Sequence, residues 1–217
     1  MLKRLLMGAA PLLLAGFVTA TPAAAQEGSG LVAKAASQVR TMEADPQMRA
    51  LLARARGVVL VPEYGHGAFI IGGKGGEGVL LVRERRGRWS NPVFYGLGGV
   101  SIGFQAGGNV GQVAYVLMTP NAVRRFEDGN NFSLGAGAGL DVVTYHNGEH
   151  LISQQGDVVA WSNTTGLYGG ADIGATDISY DRRLTSDYYG SPDMSIGQVL
   201  GGQVRNTDAA GLRSSLP

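Results

Sequence analysis

Val58-Val59-Leu60-Val61-Pro62 marks the point where the chain changes period. A short β-branched run without helical spacing predicts a strand, and Pro62, which has no N–H to give to a ladder, predicts its stop. The same kind of run returns downstream. Residues 68–71 precede Gly72-Gly73, residues 79–82 precede Arg83-Glu84-Arg85-Arg86-Gly87-Arg88, and strand character resumes over 89–95. Residues 112–118 and 158–161 are two more, and Asn147-Gly148 is the strongest hairpin signal in the chain. Short runs parted by glycine predict an antiparallel β domain with tight turns, and the 83–88 stretch reads as a polar hairpin tip.

Upstream the spacing is helical. Leu31, Val32, Ala35, Val39 and Met42 share one face of a helix predicted over 29–43, with Ser29 as its cap. Asp45-Pro46 starts a second helix, with Met48, Leu51, Leu52 and Ala55 as its apolar face and Gly57 as its stop. Downstream, Thr119-Pro120 opens a short helix through Phe126, and residues 181–189 and 193–200 are two more. Leu134-Gly135-Ala136-Gly137-Ala138-Gly139-Leu140 alternates glycine strictly. On a strand this leaves one face bare, so that another layer can approach closely. The expected class is α+β: a glycine-rich antiparallel β domain, sandwich or barrel-like, with amino-terminal helices and short carboxy-terminal helices.

The first residues read as an address. Lys3 and Arg4 precede an apolar stretch, Leu5 to Val18, and then Ala23-Ala24-Ala25. That is the pattern of a secretory signal peptide cut after Ala25, and the apolar stretch is too short for the roughly 20 residues that span a bilayer. A periplasmic or secreted protein is expected. The organisation expected is a signal peptide over 1–25, a helical segment over 26–44, a main domain over 45–205 and a tail over 206–217.

Composition excludes several chemistries. The 217 residues include 35 Gly and no Cys, which removes disulfides, thiolate metal sites, a cysteine nucleophile and a thioether-linked lipid anchor. A net charge of +1 gives no footprint for nucleic acid. Gly72-Gly73-Lys74-Gly75-Gly76 lacks the Ser or Thr and the helix of a phosphate loop. Gly99-Val100-Ser101-Ile102-Gly103 matches the serine nucleophile-elbow pattern, with Asp141 and then His146 or His150 in hydrolase order, but no helix follows. His146 and His150 are spaced for a metal only on a helix, and Asn147-Gly148 places them in a turn. No cofactor or metal is expected.

The basic residues gather in three places. Lys34, Arg40, Arg49, Arg54 and Arg56 lie in the first two helices, Arg83, Arg85, Arg86 and Arg88 in the hairpin tip, and Arg124-Arg125 on the third helix. A polybasic face gains about 1 kcal/mol per charge beside anionic lipid.

Taken together the pieces resemble the SYLF domain family, a lipid-binding domain also known as the actin-binding domain of certain yeast endocytic proteins. The resemblance runs through 51–58, 73–80, Gly87-Arg88-Trp89-Ser90-Asn91-Pro92, 100–107, 116–119, Ala122-Val123-Arg124-Arg125-Phe126, Gly166-Leu167-Tyr168-Gly169-Gly170 and Tyr188-Tyr189-Gly190, covering roughly 45–205. It implies a single α+β domain without known catalysis, and it demotes Ser101 to a strand position. Its eukaryotic members are associated with phosphoinositides and actin. An exported bacterial protein meets neither actin nor, in general, phosphoinositides.

The expected function is therefore a non-enzymatic exported module on anionic phospholipid. Its expected contacts are Lys34, Arg40, Arg49, Arg54, Arg56, Arg83, Arg85, Arg86 and Arg88, with the 29–43 helix dipping into the interface. The alternatives are an envelope protein that binds a protein partner and, more remotely, a hydrolase using Ser101.

Overall fold

A computed structural model describes residues 23–66, 74–98, 111–129, 131–134, 139–145, 156–163 and 177–217. The run at 58–61 lies in strand β1 (Gly57–His66), flanked by β2 (Lys74–Val82) and β4 (Gly111–Leu117). With β3 (Val93–Gly98), β5 (Val142–Tyr145), β6 (Val158–Ser162) and β7 (Asp177–Tyr180) they form one sheet of order β5-β6-β4-β1-β2-β3-β7. Every pairing is antiparallel except β5 with β6, so the sheet is mixed.

Both faces of this sheet are covered, which is why Val58 to Val61 shows no polar alternation. Val58 and Leu60 face one core with Val79, Leu81, Phe94, Ala114, Val116 and Trp161, while Val59 and Val61 face another with Leu80, Tyr95, Leu97, Val113, Tyr115 and Leu117. All four residues from Val58 to Val61 are fully buried, each burial worth about 1.5–3 kcal/mol. The first core is closed by helices α1 (Ala23–Glu43), α2 (Pro46–Arg54), α4 (Arg182–Tyr189) and α6 (Ala209–Ser215). The second is closed by α3 (Pro120–Glu127) and α5 (Ile196–Leu200). The class is α+β, as the sequence indicates. Among the described residues, helices supply the layers above and below the sheet where a second sheet was allowed for.

Two stop signals act differently from their sequence reading. Pro62 does not end β1. It sits in a register shift, between Leu60 and Glu63 toward β2 and between Val61 and Tyr64 toward β4, where its missing N–H breaks no ladder. Gly57 does not cap α2, which ends at Arg54 with Ala55 extended. Gly57 opens β1, where a Cβ would lie 3.2 Å from both Leu117 Cδ1 and the Leu81 carbonyl oxygen. Similarly, Ser29 lies inside α1, and its hydroxyl donates to Asp208 at 2.6 Å. Residues 206–217 carry α6, whose Leu212, with Leu216 just after the helix, is buried in the core that α1 closes. Ser101, His146, His150, the run at 68–71, most of the alternating glycines and residues 1–22 lie outside the described residues.

Asp45 ties the helical layer to the sheet edge. Its Oδ1 accepts from the amides of Gln47 (2.8 Å) and Met48 (3.4 Å), and the Tyr145 hydroxyl of β5 donates to Oδ2 at 2.5 Å. Desolvation pushes this carboxyl up, but the Tyr145 hydroxyl and the two amides outweigh it, and the net shift is downward. A lowered carboxyl contributes stability that is present above its unfolded value, near 3.8, and lost as pH falls through the folded one. Asp45→Ala should lower the urea-unfolding free energy by about 1–2 kcal/mol at pH 7. That deficit should shrink below pH 4, where the wild-type carboxyl also protonates.

Candidate functional site

The ends of four elements meet where β1 begins. The Arg56 amide donates to Leu117 O at the end of β4, and the Arg83 amide at the end of β2 donates to Arg56 O, both at 2.8 Å. Thr119, two residues after Leu117, caps α3 by accepting from the Ala122 amide at 3.2 Å. The β2–β3 tip closes through Gly87 N to Glu84 O at 2.9 Å, with Gly87 at φ +75°, a conformation glycine adopts without strain. The last turn of α2, the tip of the hairpin and the start of α3 thus share one end of the sheet.

Arg83 is the fastener of this end, not a free cation. Its Nε donates to Ala55 O (3.0 Å) and its Nη2 to Leu52 O (3.0 Å), holding the end of α2. Nη1 donates to Gly87 O (3.1 Å), and Nη2 also reaches Pro217 O (2.9 Å). The guanidinium lies over Trp89, 4.3 Å from the ring centroid, and Trp89 Nε1 donates to the same Pro217 oxygen at 3.0 Å. Burial draws the Arg83 side chain downward from its ordinary value, yet a guanidinium starts so high that it keeps its charge. A residue grouped with the lipid contacts on sequence has its donors committed to backbone carbonyls.

The other expected residues divide. Lys34 pairs with Glu63 at 2.6 Å, six residues along β1 from this end. Arg49 is bonded to Glu43 O (2.8 Å) and Arg88 to Glu84 (3.1 Å). Arg40 is exposed on α1. Arg54 is exposed, with one bond to Ala50 O at 3.3 Å. Arg56, Arg85 and Arg86 are exposed and make no side-chain hydrogen bond or ion pair among the described residues. These last four sit on the segments that Arg83 and its neighbours tie together, the end of α2 and the hairpin tip. Arg124 is exposed on α3, whose Val123 packs beside Gly57 from the other face of the sheet. It was visible in the sequence, but only the sheet order shows that α3 stands beside Arg56.

This end carries more arginines than acids, its side-chain carboxylates among the described residues being Glu84, Asp141 and Asp157. Glu84 is engaged by Arg88, and Asp157 accepts from the Thr119 hydroxyl and from the Asp141 amide at 3.2 Å. Guanidinium forks match phosphate and carboxylate oxygens and remain charged at any working pH. Among the described residues no group of His, Asp or Glu is arranged to hold a metal ion.

The apolar stripe of α1 is not available to a membrane in this fold. Leu31, Val32, Ala35, Val39 and Met42 are at most 7% exposed. Freeing Val32, Val39 and Met42 alone would cost about 5–9 kcal/mol. Among the described residues no helix is long and apolar enough to cross a bilayer.

Comparison with known proteins places this architecture. Residues 98–216, more than half of the chain, match the Ysc84 family model, described as "Las17-binding protein actin regulator". The chain belongs to the Ysc84 family. This is the family of the SYLF resemblance. Among Ysc84-like relatives, SH3 domain-containing YSC84-like protein 1 of Xenopus laevis is 28% identical over 163 residues, covering 73% of this chain and 48% of its own length. Protein YSC84 of Saccharomyces cerevisiae is 24% identical over 165 residues, covering 74% and 35%. LAS seventeen-binding protein 3 of the same yeast is 25% identical over 160 residues, covering 71% and 34%. The chain thus spans between a third and half of the length of these curated Ysc84 relatives. The stretch matched by the family model contains Arg124, whereas Arg54, Arg56, Arg85 and Arg86 precede it.

Proposed function

We propose that the protein is an exported, non-enzymatic module that docks on anionic phospholipid surfaces through the cationic end of its sheet. The observation that supports this reading is that Arg54, Arg56, Arg85, Arg86 and Arg124 are all exposed on segments that meet at one end of the sheet. Docking is peripheral, with α1 remaining in its core, and the strands point their β1-start end at the headgroups. Each arginine near the surface contributes about 1 kcal/mol, and salt screens that contribution. The setting is the periplasm or the outside of the cell, reached through the signal at 1–25.

Residues 26–217 should pellet with vesicles containing phosphatidylglycerol and not with phosphatidylcholine vesicles, and the pelleting should fall as salt is raised. Arg85→Ala with Arg86→Ala should weaken the partition about 30-fold, the equivalent of two charges. Pelleting that ignores salt, or survives the double substitution unchanged, would remove the reading.

A second reading is favoured by the family's printed description, which names a protein partner. On it, the same arginines recognise acidic groups of an envelope protein. Crosslinking in the periplasm that depends on Arg85 and Arg86, without any vesicle binding, would select it.

A further inference from the structure

Two carboxylates on neighbouring strands face the amino-terminal half of α1, and the helix's Lys34 is bonded to one of them. Glu63 of β1 and Glu77 of β2 are direct cross-strand partners. Glu63 is held by Lys34 of α1 at 2.6 Å. Glu77 lies two residues before Val79, which packs in the α1 core, so strand alternation turns it toward the same helix. It is half-buried and makes no hydrogen bond or ion pair among the described residues. The surrounding elements add more acid than base. From α1 comes Glu27, and from α4 come Asp181, which caps the helix at Leu184 N (2.8 Å), and Asp187 in its last turn. Arg183 is the cation on this side, and it is shared between Glu27 (3.8 Å) and Asp187 (3.5 Å). Opposite Glu77, β3 presents Gly96. The helix is tight here, since a Cβ on Gly28 would lie 2.8 Å from the Tyr188 ring of α4.

We propose that Glu63 and Glu77 form a proton-operated latch under the amino-terminal half of α1. With Glu77 protonated, the pair carries one charge, matched by Lys34, and the start of α1 sits closed on the sheet and on α4. With Glu77 ionised, two like charges stand directly opposite one another while Lys34 is bonded to Glu63 and Arg183 is shared between Glu27 and Asp187, an arrangement that destabilises a strand pair. The start of α1 is then loosened while its later turns, around Val39 and Met42, stay in the core.

The titration has the right sign. Burial raises the Glu77 carboxyl above its ordinary value, Glu27 and Asp181 add to the rise, and Arg183 opposes it. A raised carboxyl favours the fold below its unfolded value, near 4.5, and that advantage disappears as pH rises through the folded value. Each unit of separation changes the folding equilibrium up to tenfold.

The test is a pair of urea-unfolding series from pH 4 to pH 8, on wild type and Glu77→Gln, with amide-exchange protection of residues 27–32 read at each pH. The variant should match wild type at pH 4 and have the higher midpoint at pH 7, with its protection over 27–32 no longer declining with pH. Lys34→Met should cost more at pH 7 in wild type than in the Glu77→Gln background. The latch is overturned if the two series run in parallel, if Glu77→Gln is the less stable at pH 7, if the Lys34→Met cost is the same in both backgrounds, or if protection changes over the whole chain and not at the start of α1.

Discussion

Gly76→Val is expected to leave little folded protein at 25 °C, and Gly76→Ala to cost about 3 kcal/mol, the upper end for overpacking a core. A Cβ at this position would stand 2.5 Å from the Glu63 carbonyl oxygen, 2.9 Å from Val61 Cγ1 and 3.3 Å from Tyr64 Cα. Two of these atoms are backbone, so no rotamer change relieves the contact. The β1–β2 pair would have to part at the shift that accommodates Pro62. For a domain whose total stability is about 5–15 kcal/mol, the larger side chain exceeds what can be absorbed. Gly96→Ala is the control: its added Cβ would meet nothing nearer than Ser179 Oγ at 3.5 Å, and its midpoint should barely move. Thermal and urea midpoints of the three variants check the ordering, and a stable Gly76→Ala would refute the close approach.

Arg83→Ala should be the other large loss, about 3 kcal/mol. It takes a donor from the carbonyls of Leu52, Ala55, Gly87 and Pro217, of which Leu52 keeps the Ala55 amide and Pro217 the Trp89 indole, and it strips the cation from Trp89. A buried acceptor left unmade costs about 1–3 kcal/mol, and those of the four that are reached by water cost less. Arg83→Lys should recover less than half, because an ammonium is a point charge and cannot hold a planar fan of carbonyls. Arg86→Ala, in contrast, should change stability by no more than about 0.5 kcal/mol. On the proposed lipid docking the two arginines should separate by assay: Arg86→Ala should move vesicle pelleting alone, whereas Arg83→Ala should act first on the unfolding midpoint.

That separation defines what the sequence could and could not convey. Strand runs and capping residues were legible because they are local. Val58 to Val61 lies within a strand, Asp45 caps α2 and Thr119 caps α3. Pro62 and Gly57 misled as stops because their role depends on partner strands. A proline beside a register shift and a glycine under Leu117 are set by tertiary neighbours. Among the basic residues, Arg83, Arg85 and Arg86 sit in one run of like character. Only the arrival of α2 and of Pro217, from opposite directions in the chain, assigns one to the scaffold and leaves the others in solvent. The apolar stripe of α1 was equally ambiguous, since a helix face for a membrane and one for a core are written with the same residues.

The bond between Ser29 and Asp208 joins residues 179 apart, and α1 lies along α6. A helix made near the beginning therefore waits for one made near the end before its apolar side is covered. Closing so long a loop is entropically slow, and the core cannot be completed early. During synthesis the chain is consequently expected to stay open until its last helix has emerged. On the export route proposed above, such late completion would keep the chain unfolded enough to pass a narrow translocation channel before its core closes.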